Sequence, residues 1–115
     1  MLPAERILII EDNPDAAESL RLLLSLVGFE VRVAHTGPAG VKTGREWEPD
    51  VVFCDIGLPG LDGFAVARAL QAGPSRLVAL TAYGDEETRR RATESGFDDF
   101  LVKPVDPARI RQLLA

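Results

Sequence analysis

Cysteine occurs once, at Cys54, so no disulfide can close within the chain. It lies in the most apolar run and reads as a small buried core residue, in keeping with a reduced, cytoplasmic setting. Histidine also occurs once, at His35, with no obvious acidic or metal-ligating partner, and reads as a surface residue. No stretch approaches the roughly 20 apolar residues of a membrane span. The opening residues, Met1 to Arg6, carry no signal-peptide pattern, because charge and a strand follow at once. Positive charge is scarce: 13 Lys and Arg against 18 Asp and Glu leave a net charge of -5. That balance speaks against a nucleic-acid groove, which needs concentrated Lys and Arg. Repeats, low-complexity tracts and linkers are absent. The remainder is an ordinary globular composition, 46% hydrophobic and 27% charged over 115 residues, enough for one domain and too little for two.

The organising stretch is Val51-Val52-Phe53-Cys54-Asp55, an apolar run that ends abruptly in a carboxylate. Such a run, bounded by turn residues, reads as a strand buried on both faces, and the Gly/Pro-rich residues 56–63 read as a shaped loop. Ile7-Leu8-Ile9-Ile10 is a similar run and ends in Glu11-Asp12. Asn13 then caps a helix with Pro14 at its first position, Leu20, Leu23, Leu24 and Val27 share its inner face, and Gly28 ends it. Val31 and Val33, alternating with Arg32, mark a less buried strand at an edge. A second helix covers about 38–47, weakened by Gly44, with Trp47 capping the core beneath it. A third covers about 64–72, closed by Gly73. Leu77-Val78-Ala79-Leu80 is the fourth strand, ending in Thr81-Ala82; a very polar helix follows over 85–95. Phe100-Leu101-Val102 ends in Lys103-Pro104, and Asp106-Pro107 opens a last helix with Ile110, Leu113 and Leu114 on one face. Five strands alternating with five helices specify an α/β sandwich with a parallel sheet and right-handed crossovers.

In a parallel sheet all strands end at the same edge, where α/β proteins bind ligands. Glu11-Asp12, Asp55, Thr81 and Lys103 leave four of the strands there. Asp55 alone would read as a helix cap or turn residue; the company changes that. Crowded carboxylates raise one another's pKa unless a cation offsets them. Mg²⁺ suits a site with few carboxylates, several waters and a phosphate oxygen. An ammonium and a hydroxyl complete a set fitted to phosphoryl transfer, in which a carboxylate can be the nucleophile.

The chain resembles the receiver domains of two-component response regulators over essentially its whole length. The resemblance rests on Glu11-Asp12, on Asp55 with Gly57-Leu58-Pro59 and Asp62-Gly63 behind it, on Thr81-Ala82, and on Lys103-Pro104. It implies a flavodoxin-like (βα)5 doubly wound fold with strand order 2-1-3-4-5. It implies that Asp55 accepts a phosphoryl group from the phosphohistidine of a histidine kinase or phosphotransfer domain. Asp12 and Asp55 would hold Mg²⁺ directly, Gly57 through its carbonyl and Glu11 through a water. Thr81, Lys103 and the Ala82 amide would bind phosphoryl oxygens, and the bond before Pro104 would be cis. Thr81 and Phe100 would switch on phosphorylation, changing the surface of the fourth helix, fifth strand and fifth helix toward an output domain or effector protein. Phe100 also reads as plain core packing. A homodimer, if one forms, is expected through that same surface. The domain would be a single unit over residues 1–115, either standing alone or excised from a transcription factor or hybrid kinase. Its wording around Asp55 and Thr81 looks more like the hybrid-kinase kind. Gly57 and Tyr83 stand where fast-hydrolysing members carry polar side chains, which implies a long-lived phosphoryl state. With no donor histidine motif in the chain, the phosphoryl group should come from another protein.

Other signals read more plainly. Residues 37–43 fail as a phosphate-binding P-loop because Val41 stands where a glycine must precede the lysine. Arg89-Arg90-Arg91 spreads round a helix and reads as a solvated face, with partner docking as the lesser reading. Two rivals to the phosphorylated receiver exist: an Asp-nucleophile phosphohydrolase, which lacks its general acid because Gly57 fills that place, and a degenerate receiver that binds partners without phosphorylation. The chain is therefore read as a signalling domain and not an enzyme, beyond self-phosphorylation from small donors and slow self-dephosphorylation.

Overall fold

The computed structural model describes residues 6–115; Met1 to Glu5, on which the signal-peptide reading partly rests, lie outside the described residues. The chain alternates β1 (Arg6–Ile10), α1 (Pro14–Val27), β2 (Glu30–Ala34), α2 (Gly37–Trp47), β3 (Val51–Asp55), α3 (Gly63–Leu70), β4 (Arg76–Thr81), α4 (Glu86–Ser95), β5 (Asp99–Val102) and α5 (Pro107–Leu114). All strands are parallel in the order β2-β1-β3-β4-β5 that the resemblance implies, with the half-buried β2 at one edge. No helix among the described residues is long and apolar enough to cross a membrane.

Period-two alternation sorts the central strands onto two apolar layers. Leu8, Ile10, Val52 and Cys54 face α2, α3 and α4, where Trp47, Phe64, Leu70 and Ala92 cover them. Ile7, Ile9, Val51 and Phe53 face α1 and α5, under Leu24, Ile110 and Leu114. Ile7 to Ile10 and Phe53 have no exposed surface at all. Burying one such side chain stabilises the fold by roughly 1.5–3 kcal/mol.

The helix starts follow their caps. Asn13 accepts from the Asp15 and Ala16 amides, Asp62 from Ala65, Asp85 from Thr88 and Asp106 from Ala108. Residues 37–43 lie within α2, capped by Thr36, so no phosphate loop forms there. Gly44 does not interrupt α2. A Cβ there would stand 3.0 Å from the Leu70 methyls, so the glycine lets α2 and α3 approach. The third helix ends at Leu70, two residues before the expected Ala72; beyond it the Gly73 amide turns back onto the Leu70 carbonyl at 3.0 Å. Val27 is 54% exposed and not part of the inner face. It borders an open cleft between α1 and α5, with Phe29, Ile110 and Leu114 opposite.

The three consecutive arginines separate. Arg89 lies over the Phe100 ring at 4.8 Å and Arg91 over Phe64 at 4.3 Å, while Arg90 reaches Glu94 at 3.9 Å. All three are exposed, as a solvated face requires, and two of them also lean on aromatic rings. That contact could not be foreseen from α4 alone, because both rings belong to other elements.

Candidate functional site

Registers bring the strand ends nearly level. Ile10 pairs with Ala34 and Cys54, Asp55 with Leu80, and Thr81 with Val102. Glu11, Asp55, Thr81 and Lys103 therefore emerge side by side at one edge. Gly63 makes the sharp return after β3 possible: a Cβ on it would meet Ile56 Cα at 2.4 Å and the Asp55 carbonyl at 2.6 Å. Only a glycine lets the start of α3 press that closely against the end of the strand.

Lys103 Nζ is the hub. It donates to Glu11 Oε1 at 2.5 Å and to Asp55 Oδ2 at 3.0 Å. The other oxygen of each carboxylate is held by backbone: Glu11 Oε2 accepts from the Asn13 amide at 3.3 Å, and Asp55 Oδ1 from the Gly57 amide at 2.8 Å. Glu11 is only 3% exposed, whereas Asp12 stands in solvent. Among the described residues, Glu11, Asp12 and Asp55 form the acidic group whose ligand oxygens all lie within 4.8 Å of one another. Such an all-oxygen donor set fits a hard divalent ion such as Mg²⁺.

The two bonded carboxylates titrate in opposite directions. Burial raises the Glu11 pKa, and the Asp55 charge adds to the rise while Lys103 opposes it. Burial pushes Asp55 up as well, but the Gly57 amide, the Glu11 carboxyl and the Lys103 ammonium outweigh it and leave Asp55 below its ordinary value. Lys103 loses solvation too, yet its two acidic partners hold its pKa above the usual lysine value. Asp55 is thus the carboxylate kept ionised, facing the open edge. The Cys54 thiol next to it is pushed well above its ordinary value, first by burial and then by the Asp55 charge, so it is an inert core group.

Thr81 is buried, and its hydroxyl is engaged with the backbone of Tyr83, accepting from the amide at 3.0 Å and lying 3.2 Å from the carbonyl. Ala82 is exposed beside it, and the Lys103–Pro104 peptide is cis. Phe100 is half-buried at the border of the α2–α4 layer with Arg89 on its outer face. Phe100 thus does not belong to the carboxylate cluster.

His35 is exposed, as its sequence context predicts. Its Nδ1, however, stands 3.0 Å from the Glu11 carbonyl. The register carried that signal: with Ile10 opposite Ala34, the next residues along are Glu11 and His35.

The family model described as response regulator receiver domain matches residues 7–115. The chain is 38% identical over 115 residues to a DNA-binding response regulator, MtrA, of Mycolicibacterium smegmatis, a match covering 96% of this chain and 50% of that protein. The chain thus spans about half the length of that curated relative. A putative response regulator from Chloroflexus aurantiacus superposes with TM-score 0.86 and 32% identity, each chain being covered to 98%. The crystal structure of a Saccharomyces cerevisiae histidine phosphotransfer signalling protein with the receiver domain of its downstream response regulator contains a chain matching with TM-score 0.91 and 26% identity. That match covers 99% of this chain and 88% of the other.

Proposed function

The chain belongs to the response regulator receiver domains of two-component signalling, and from this premise we propose that Asp55 is its phosphoacceptor. The observation that carries the reading is the hub at the sheet edge: an ionised Asp55 held 3.0 Å from a lysine ammonium, with two further carboxylates in reach. The donor is the phosphohistidine of a kinase or phosphotransfer domain. An Asp55 carboxylate oxygen attacks phosphorus in line, a P–O bond forms as the P–N bond breaks, and the bonding pair returns to the imidazole nitrogen.

Asp12 and Asp55 would hold Mg²⁺ through carboxylate oxygens, Gly57 through its carbonyl and Glu11 through a water, and the ion would neutralise charge on the phosphoryl oxygens. Lys103 moves its hydrogen bond from Asp55 to a phosphoryl oxygen, and the Ala82 amide supplies another donor. Thr81 exchanges its Tyr83 contacts for the phosphoryl group, and Phe100 turns inward from beneath Arg89. The α4–β5–α5 surface changes with it, toward an output domain or effector, and is the face on which a homodimer would form. The unit is residues 1–115, acting in the cytoplasm; any DNA-binding output belongs to another domain or protein, since the net charge of -5 suits no nucleic-acid groove.

The test is intact mass after incubation with acetyl phosphate and Mg²⁺, quenched in acid, for the wild type and Asp55→Asn. One Mg²⁺-dependent phosphoryl adduct on the wild type and none on the variant is expected. An adduct that persists in Asp55→Asn would place the acceptor elsewhere. Silence of the wild type toward acetyl phosphate, a phosphohistidine donor and beryllium fluoride alike would leave a domain that binds partners without phosphorylation.

A further inference from the structure

We infer that His35 is a positioning residue for the metal-facing carboxylates, acting through the peptide that joins Glu11 to Asp12. The inference rests on the reading of that carboxylate group as a Mg²⁺ site. The backbone dictates why a side chain is needed here. The Glu11 amide makes the last rung of the β1–β2 ladder, donating to the Ala34 carbonyl at 3.0 Å. β2 stops at Ala34, and the chain turns into Thr36, the N-cap of α2. The ladder has run out where the Glu11 carbonyl would look for its donor, and the His35 ring nitrogen Nδ1 stands 3.0 Å from that oxygen.

A carbonyl oxygen only accepts, so Nδ1 must carry the proton, and a neutral His35 is the Nδ1–H tautomer. Glu11 is then held at every polar group: its amide by Ala34, its carbonyl by His35, Oε1 by Lys103 and Oε2 by the Asn13 amide. The carbonyl matters most for its neighbour. It belongs to the Glu11–Asp12 peptide, so fixing its plane fixes the direction in which Asp12 departs. Asp12 is the exposed member of the carboxylate group and is not packed into place as Glu11 is. A histidine bonded to a peptide one residue from a metal carboxylate plays the part usually taken by groups behind a ligand, which orient it without touching the ion.

The experiment is calorimetric titration of the whole chain with MgCl₂ for wild type, His35→Ala, His35→Asn and His35→Gln, each also melted in chelator. Asn puts an amide N–H where Nδ1 stands, whereas Gln carries its amide one carbon farther out. His35→Ala and His35→Gln should bind Mg²⁺ about tenfold more weakly, at the lower end of losses seen for such supporting residues. His35→Asn should recover most of the affinity. Loss of melting temperature in His35→Ala with unchanged affinity would mean a merely structural contact and overturn the inference. A wild type that takes up no Mg²⁺ would sink the metal reading and this inference together; a binding wild type matched by His35→Ala sinks this one alone. If His35→Ala fails to fold, nitrogen NMR of the wild-type ring decides, since a dominant Nε2–H tautomer is incompatible with the contact.

Discussion

Where the strands begin, the basic residues have partners. The Arg6 amide donates to Asp50 at 2.9 Å, and Arg76 meets Asp99 at 2.6 Å and the Leu113 carbonyl at 2.7 Å. Arg6 and Arg32 lie over the Trp47 ring at 5.5 and 4.5 Å. Where the same strands end, three carboxylates gather and a single ammonium, that of Lys103, bonds to two of them. Both edges are built by the same parallel sheet, so the difference lies in the residues alone. Paired groups hold one edge together; the unpaired negative charge at the other edge could hold a cation, as the proposed phosphoryl transfer requires.

The strongest way to separate the edges is Trp47→Ala. Removing this buried ring should cost about 3–5 kcal/mol of stability. Denaturant unfolding would read that loss, while the folded fraction should still gain one phosphoryl group in the mass assay. Loss of uptake by well-folded protein would show that the two edges are not independent. Next is the pair Gly57→Asn with Tyr83→Glu, which places water-orienting groups beside Asp55. The phosphoryl group should hydrolyse faster by about tenfold, equivalent to about 1.4 kcal/mol; an unchanged rate in a radiolabel chase would remove Gly57 and Tyr83 as the reason for a long lifetime.

A smaller effect concerns pH. Glu11 is raised in the fold from an ordinary value of 4.5, so its contribution to stability is full below that value and fades as pH rises through the raised one. Asp55 runs the other way: its contribution is present above its ordinary 3.8 and is lost only as pH falls through a still lower value. From neutrality down toward pH 4.5, Glu11 is therefore the one of the two that changes. Metal-free protein should melt at higher temperature as pH falls across that window, and Glu11→Gln should flatten the trend. A flat profile in the wild type would contradict the crowding at this edge. Smallest of all, Arg90→Ala should cost no more than about 0.5 kcal/mol by chemical unfolding, since exposed helix pairs contribute little.

The strands and their ends were legible because buried parallel strands write themselves as apolar runs, and each such run here stops at a polar residue; the sheet order came from the resemblance to receiver domains. Asp55, Glu11 and Lys103 could be put on one edge without knowing a single distance. What stayed hidden depends on neighbours that no local pattern names. The stacking of Arg89 on Phe100 and of Arg91 on Phe64 joins separate elements. The Thr81 hydroxyl engages the Tyr83 backbone, a choice between partners that sequence spacing does not decide. Val27 fits the helical period yet borders an open cleft, because periodicity says which way a residue points and not whether anything covers it. His35 was within reach of the register but not of the search for charged or metal-ligating partners.

The contact between Glu11 and Lys103 joins residues 92 apart in a chain of 115. During synthesis all three carboxylates exist once residue 55 has been added, yet the ammonium that steadies Asp55 arrives 48 residues later. A chain that stops before residue 103 lacks the ammonium that bonds to Glu11 and Asp55. The proposed acceptor site is therefore complete only when the last strand has been made.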